Sequence, residues 1–518
     1  MPRYDYKPYP YKIPPEVTSG ASGTTPVAIV GAGPIGLAAA IDLAMHGVQS
    51  VVLDDNNVVS VGSRAICWAK RTLEIFDRLG VGDRMVDKGV TWQVGRLFHG
   101  EKEVYSFDLQ TEEGHKMPAF INLQQYYVEQ FLIERCADFP GLIDLRWKNR
   151  VTGVEQDEDG ARLTIETPDG SYGLDAAYAL ACDGANSTVR DLVGLRFLGQ
   201  TFEDRFLIAD IEMAADFPSE RWFWFQPRFH PGQTALLHKQ PDNIYRVDLQ
   251  LDGYVDPEKE TAPDKVIPRI EKAVGGRPFE LDWVSIYTFR CARLERFLHG
   301  HVIFVGDSAH VVSPFGARGG NSGIHDVDNL CWKLALVLKR QAPASLLETY
   351  NEERVHGADE NILNSTRATQ FMSPPDTASR QFRDEILKMA KDLPFARRLI
   401  NSGRLSSPCS FEGLSLQTPC EDDRPIVPGM PCPDAPLTAG GWLLNKLGER
   451  FCLLAIGEEA PEAGLPVVSL PADGAIGDRY GTGVFLIRPD QHVAACWQKP
   501  SAADVTAALK RATGEVLQ

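Results

Sequence analysis

PVAIVGAGPIGLAAAIDLAMHGVQSVVLDD, residues 26–55, is the stretch that decides the fold. Four apolar residues, Val27 to Val30, run into Gly31, Gly33 and Gly36, an alanine-rich helical segment follows, and a second apolar run ends at Asp54. Strand, glycine turn, helix and strand in that order predict a Rossmann-like α/β unit on a parallel sheet. The spacing GxGxxG assigns each glycine a task. Gly31 makes the tight turn, Gly33 lets a diphosphate approach the backbone, and Gly36 lets the helix pack close to the strand. Free amides and the positive end of the helix dipole then face the diphosphate. Asp54 stands 23 residues after Gly31, where a carboxylate can accept ribose hydroxyls; Asp55 is its rival.

A second glycine-rich junction lies far downstream, in HVIFVGDSAHVVSPFGARGGNSGIHDVDNLCWKLALVL at 301–338. An apolar strand again runs into glycine and aspartate, Gly306 and Asp307, and a helix forms only after four more glycines. Between the two junctions, RWFWFQPRFHPGQTALLHKQPDNIYRVDLQLDG at 221–253 alternates aromatic and β-branched residues between turn signals and predicts an antiparallel sheet. The expected organisation is an irregular arm at 1–25, disordered or docked by its tyrosines, and a nucleotide domain at 26–200. A sheet domain follows at 201–295, the nucleotide domain and a helical region resume at 296–418, and a linker at 419–437 leads to a module at 438–518.

A formal charge of −17 over 518 residues, with no basic stripe, argues against nucleic acid. Ten cysteines without a CxxC pair give neither a disulfide framework nor metal-ligand spacing. No run approaches the about 20 apolar residues of a membrane span, and MPRYDYKPYPYKIPPEV has no apolar targeting core, so a cytoplasmic protein is expected.

Three fingerprints in order, the N-terminal GxGxxG, ACDGANSTVR at 181–190 and GDSAHVVSPFGARGGNSGIHDVDNLCWKL at 306–334, resemble the single-component FAD-dependent aromatic hydroxylases, the family of phenol hydroxylase and 3-(3-hydroxyphenyl)propionate hydroxylase. The resemblance implies resident FAD, with NADH or NADPH as a transient reductant. It assigns Asp307 to the ribityl chain, and Pro314, Gly316, Gly319, Gly320 and Asn321 to the loop and helix start around the flavin ring. Asp183 and Gly184 would serve both nucleotides, with Arg190 pairing with Asp183 or its surroundings. Arg64 would reach the diphosphate, and Gln125, or its neighbour Gln124, the cofactor. The chain departs from the family's GGQGMN by reading GARGGN, so that Arg318 is left to bind a phosphate or an acidic substrate, or to lie at the surface.

The implied reaction is hydroxylation of a phenolic or catecholic ring, nitro-substituted rings included, by molecular oxygen through a flavin C4a-hydroperoxide. Epoxidation or Baeyer-Villiger insertion on a larger polycyclic or polyketide-like substrate is the alternative. A dry pocket is required, and the segment 221–251 is the expected wall. Alternation puts Trp222 and Trp224 on one face and Phe223 and Phe225 on the other. Trp222, Trp224, His238, Tyr245 and Tyr287 are the polar aromatics there, and His238, Tyr287 or Arg290 would polarise a substrate hydroxyl. The aspartate that phenol hydroxylases use at that stage is replaced here by Ile66, beside Cys67 and Trp68. GERFCLLAIG and RYGTGVFLIRPDQHVAACW resemble the thioredoxin-like tail of the same enzymes without CxxC. Cys452 and Cys496 then read as small buried hydrophobes, and the module as a brace or part of a homodimer surface.

Overall fold

The structure, a computed structural model, describes residues 4–109, 113–251, 256–400, 406–420 and 424–515; residues 421–423 of the expected linker and 1–3 of the arm lie outside them. The α/β class expected from the sequence is the one found. Strand Gly23–Val30 sits inside a largely parallel sheet because its last four residues are apolar and buried. The sheet order is Leu298–His299, Val302–Phe304, Gly170–Ala181, Gly23–Val30, Ser50–Asp54, Ile143–Trp147. Val30 is in register with Leu53 and with Ala181, and Ala181 with Phe304. The chain therefore leaves four neighbouring strands at one edge, which brings Gly31, Asp54, Asp183 and Asp307 together from sites scattered along the sequence.

The second sheet has eight strands, in the order His310–Val311, Glu280–Arg293, Leu198–Glu212, Ile244–Leu251, Thr234–Lys239, Arg221–Phe225, Val94–His99, Lys102–Asp108. It reaches beyond residues 201–295, since Arg221–Phe225 pairs in parallel with Val94–His99. One face carries Trp222 and Trp224 with Leu237, Val247 and Leu249, packed on Val266 and Ile270 of helix Pro263–Ala273. The other carries Phe206, Phe223, Phe225 and Phe289, closed at one end by Phe315 and by Met372 and Leu387 of two long helices.

From Tyr4 onward the arm lies on the body. Tyr4 packs on Tyr126 with ring centroids 4.2 Å apart, the Tyr6 hydroxyl accepts from the Gly62 N–H at 3.1 Å, and Tyr9 stacks on Trp147 at 4.9 Å. At the other end of the chain, a four-stranded sheet ordered Val467–Leu470, Cys452–Ile456, Gly483–Ile487, Val493–Trp497 buries Leu453, Val484 and Leu486 against Trp332 and Leu346. Buried charges join it to the long helices: Arg488 meets Glu353 at 2.6 Å, and Lys333 meets the same carboxylate at 2.7 Å. Cys452 and Cys496 are buried. No helix among the described residues is long and apolar enough to cross a membrane.

Candidate functional site

The three glycines of the first loop are glycine for different reasons. A Cβ on Gly31, which has φ +105°, would lie 2.6 Å from the Cys182 carbonyl oxygen, and one on Gly36 only 1.9 Å from the Gly31 oxygen. Both are required by the protein's own packing. Gly33 has φ −76°, which any residue adopts, and a Cβ there meets nothing within 4 Å. It stands at the start of helix Pro34–Met45, which has no side-chain cap, so the first amides remain available. Open space and uncapped amides of this kind could hold a diphosphate.

Acidic groups ring the same edge. Asp54 accepts from the Ala32 N–H at 2.6 Å and from the Asn56 N–H at 2.8 Å, so it braces the glycine loop while keeping further lone pairs; Asp55 is exposed. Asp183 accepts from the Val189 N–H at 3.0 Å through one oxygen, and its other oxygen is buried with no hydrogen-bond partner among the described residues. Burial raises the pKa of both carboxyls. Arg190 does not pair with Asp183: it donates to the carbonyls of Ala185 and Ser308 and lies over the Phe197 ring at 4.1 Å. Asp307 makes no hydrogen bond or ion pair among the described residues, and burial raises its pKa while His310 opposes the rise. A Cβ on Gly319 would lie 3.8 Å from its Oδ1, which puts the carboxylate beside the uncapped start of helix Gly319–Leu338. Beneath it, Asp326 takes the Gly306 N–H at 2.9 Å, His310 at 2.6 Å and Arg354 at 2.6 Å. Against burial, His310 and Arg354 hold Asp326 down at about 2. An unpartnered carboxylate, a half-satisfied one, an open glycine and two uncapped helix starts at one edge fit a dinucleotide with a polyol chain.

The loop from Pro314 turns back sharply, with the Ala317 N–H donating to the Pro314 carbonyl at 3.0 Å, Gly316 at φ +104° and Ala317 itself at φ +52°. A non-glycine residue held there marks a constrained loop. Pro314 is exposed. Arg318 departs from the surface reading: it is 3% exposed and donates to Asn361 at 2.8 Å. Asn321 accepts from the Ala69 N–H at 2.9 Å and donates to the Cys67 carbonyl at 2.9 Å, so its side chain positions strand Cys67–Ala69 and its backbone alone is left at the helix start. Gly320 is packed on Trp68, 3.3 Å from its would-be Cβ. Gln125 holds the loop that carries Arg64, accepting from the Ala65 N–H at 3.2 Å and donating to Ser60 at 2.9 Å and Glu129 at 2.8 Å. Gln124 donates to the Pro241 carbonyl instead. The Arg64 side chain is exposed, with no hydrogen bond or ion pair among the described residues.

Across from these loops, the second sheet presents its inward face. Register aligns Arg221 with His238, His238 with Arg246, and Arg246 with Asp210, one row over four strands on the face of Phe223 and Phe225. Asp248 follows two residues after Arg246, on the same face. Arg246 donates to the Arg64 carbonyl at 3.0 Å, which ties this sheet to the Arg64 loop. His238 is 2% exposed, has no hydrogen-bond partner on either ring nitrogen among the described residues, and is lowered to about 4, by burial first and then by Arg221. A ring that stays neutral to that pH is a hydrogen-bonding group at neutral pH. Tyr287 lies on this face beside Phe206; burial raises its phenol, Arg246 and Arg64 oppose, and Asp307 adds to the rise, so one environment reaches from sheet to loop. Arg290 is exposed and away from the row, and Tyr245 is on the opposite face, its hydroxyl donating to the Ala215 carbonyl at 2.8 Å. Trp222 and Trp224 turn outward to the helix core, which leaves the phenylalanine pair facing the loops. Ile66 is buried, and Cys67 donates to Asn122 at 3.2 Å. Arg221, Arg246, Asp210 and Asp248 were not singled out from the sequence. Their signal is period two: charged residues at Arg246 and Asp248 inside IYRVDLQL share one face of a strand otherwise built of apolar residues.

The chain matches the family described as FAD binding domain over residues 24–365. It is 29% identical to a flavin-dependent monooxygenase of Mycobacteroides abscessus over 90% of this chain and 96% of the relative. It is 28% identical to the 12-dehydrotetracycline 5-monooxygenase/anhydrotetracycline 6-monooxygenase of Streptomyces rimosus, over 91% and 94% of the two chains. A probable NADH-specific resorcinol 4-hydroxylase of Rhodococcus jostii is 31% identical over 63% and 62%. Among solved structures, the flavin-dependent monooxygenase PieE, in complex with FAD and substrate, superposes with a TM-score of 0.80 at 22% identity, over 96% of this chain and 100% of that one.

Proposed function

The chain belongs to the FAD binding domain family and is an FAD-dependent monooxygenase, and on that premise we propose that it hydroxylates a phenolic or catecholic aromatic ring, nitro-substituted rings included, with NADH or NADPH as the electron donor. The observation that carries this reading is the inward face of the second sheet: Phe223, Tyr287, His238 and two arginines set against the loop of Asp307 and the start of helix Gly319–Leu338. When bound, FAD supplies two-electron exchange with reduced nicotinamide and activation of oxygen for insertion into the substrate.

The protein's part is to hold, orient and keep dry. Gly33 and the amides opening helix Pro34–Met45 receive the diphosphate with Arg64, Asp54 takes ribose hydroxyls, and Asp307 takes the ribityl chain. Asp183 and Gly184 lie between those two regions and serve the passing nicotinamide nucleotide as well. Gly316, Gly319, Gly320 and the backbone of Asn321 open a helix whose positive end favours negative charge on the ring system. Gln125 acts one step back, through the Arg64 loop. Pro314 stands at the exposed turn of the loop. Tyr287 and neutral His238 are the groups placed to hydrogen-bond a substrate hydroxyl, and Phe223 and Phe225 exclude water around it. Arg290 is not proposed, because it is exposed and off the face.

The resorcinol hydroxylase relative supports the phenolic reading and NADH. A second reading, a larger polycyclic substrate, draws on the tetracycline relative, which aligns over 91% of this chain against 63% for the resorcinol enzyme. Oxygen uptake and nucleotide oxidation with and without catalase, over phenols, catechols, nitrocatechols and anhydrotetracycline-like polycycles, separate the two. A true substrate accelerates nucleotide oxidation and suppresses peroxide. If every ring compound leaves the basal rate unchanged, the hydroxylase reading fails.

A further inference from the structure

The row across the second sheet leaves one guanidinium, that of Arg221, without a carboxylate partner. Arg246 has its Nε 3.5 Å from Asp210 and 3.9 Å from Asp248, and the His238 Nε2 lies 3.6 Å from Asp248. Asp248 keeps its Oδ1 buried without a hydrogen-bond partner among the described residues, and neither aspartate is within ion-pair distance of Arg221. Arg221 is 4% exposed, makes no hydrogen bond or ion pair among the described residues, and has Nε and Nη1 buried without an acceptor. It is bordered by rings, its guanidinium 4.9 Å from the Phe223 centroid and 5.9 Å from that of Trp92. Arg246 adds a buried Nη2 with no acceptor among the described residues, and neutral His238 adds one ring N–H.

A buried, uncompensated guanidinium is expensive unless an anion reaches it. We propose that Arg221, with Arg246 and His238 beside it, binds an anionic oxygen group on the substrate, a ring carboxylate in the first instance, while Phe223 and Trp92 contact the ring that bears it. Forked donors suit a planar two-oxygen anion better than a neutral hydroxyl. The protein's own surroundings report the same field: burial raises the Cys67 thiol, and Arg221 and Arg246 are the groups that pull it back. The inference rests on the proposed hydroxylase reading for the location of the substrate, and it narrows the substrate to an aromatic acid or a ring ionised at the working pH.

Binding to the FAD-loaded full chain tests it, read by the change in the flavin absorption band and by tryptophan fluorescence. The probes are 3-hydroxybenzoate, 4-hydroxybenzoate and 6-hydroxy-2-naphthoate, each against its methyl ester, with 4-nitrophenol above and below its own pKa as the phenolate arm. Charge-assisted hydrogen bonds predict acids held about tenfold to hundredfold more tightly than their esters. Arg221→Gln should abolish the ratio and Arg221→Lys should retain part of it. A preference only for ionised nitrophenol would assign the anion to the phenolate and overturn the carboxylate. Equal affinity for acid and ester, no acid bound at millimolar concentration, or an unchanged ratio in Arg221→Gln would overturn the clamp. If Arg221→Gln does not hold FAD, the wild-type ratio and Arg221→Lys decide. Arg221-dependent acid binding without ring-stimulated nucleotide oxidation would sink the hydroxylase reading and leave the clamp; coupled hydroxylation of neutral phenols with no acid preference would do the reverse.

Discussion

Substituting alanine at Gly33 and at Gly36 separates what the fold needs from what the ligand needs. At Gly33 the backbone, φ −76° and ψ −177°, is open to alanine, and the new Cβ meets no protein atom within 4 Å. Fewer unfolded conformations should make the FAD-free Gly33→Ala protein as stable as the parent or more stable by about 0.4–1 kcal/mol. At Gly36 the Cβ falls 1.9 Å from the Gly31 oxygen and 3.2 Å from Ile29 Cγ2, both in the strand-and-turn unit that the helix packs against. Overpacking of that kind costs about 1–3 kcal/mol or more and outweighs the about 1 kcal/mol that alanine adds to helix propensity. Toward FAD the order inverts in its cause. The Gly33 methyl projects into the cradle itself, and the same 1–3 kcal/mol, now set against the ligand, corresponds to a dissociation constant raised about 5- to 150-fold. Thermal melts of the FAD-free proteins and fluorescence titration with FAD read the two quantities independently. If Gly33→Ala binds FAD like the parent, or if it melts as early as Gly36→Ala, the cradle is misplaced.

Asp307→Ala should weaken FAD binding while leaving the FAD-free melting temperature unchanged, since the carboxylate makes no hydrogen bond or ion pair among the described residues; Asp54→Ala should lower the FAD-free melt too, because it releases the Ala32 and Asn56 amides. The same titrations compare them, and a stability loss confined to Asp307→Ala would refute the assignment. His238 supplies a pH prediction. Its folded pKa of about 4 lies below the unfolded value of 6.5, so the folded state binds fewer protons between them and stability falls as pH drops through that window, by up to about 3 kcal/mol. Urea midpoints from pH 7.5 to 4.5 should slope less in His238→Gln; parallel slopes would count against the buried neutral ring. Glu353→Gln strands Lys333 in the interior, leaves Arg488 with Asp490 alone, and should cost about 3–5 kcal/mol of stability, visible as an early melt of the whole chain. A melt within 1–2 °C of the parent, where about 3 kcal/mol should shift it further, would show that this network does not hold the C-terminal sheet in place.

The nucleotide half of the fold was legible because its signals are local. A tight glycine turn, a strand end and a helix start each lie within a few residues, and Gly31, Gly36 and Asp54 can be read for their roles before any contact is known. That Asp183 and Asp307 stand at the same edge required the register of Ala181 with Val30 and with Phe304, which spacing does not contain. Side chains that read as ligand contacts and turned inward, Arg318 to Asn361 and Asn321 to Ala69 and Cys67, were undecidable for the same reason: one donor can serve a neighbour or a ligand, and long-range packing makes the choice.

The sheet face shows where this limit lies. His238 was visible as a lone histidine, but its meaning depends on Arg221 and Arg246 in the strands on either side and on Asp210 one strand further. Period-two alternation fixes which residues of one strand share a face; it does not fix which residue of the next strand lies opposite. A shift of one residue between Arg221–Phe225 and Thr234–Lys239 would send Trp222 and Trp224 to the loops and Arg221 to the helix core. The pairing of Arg221 with Gly95 removes that freedom from the far side, using a strand that enters the sheet from the first hundred residues of the chain. The charge proposed to select a substrate is therefore a property of strand register, built by three segments, while the glycine turn proposed to receive the diphosphate is written in a single loop.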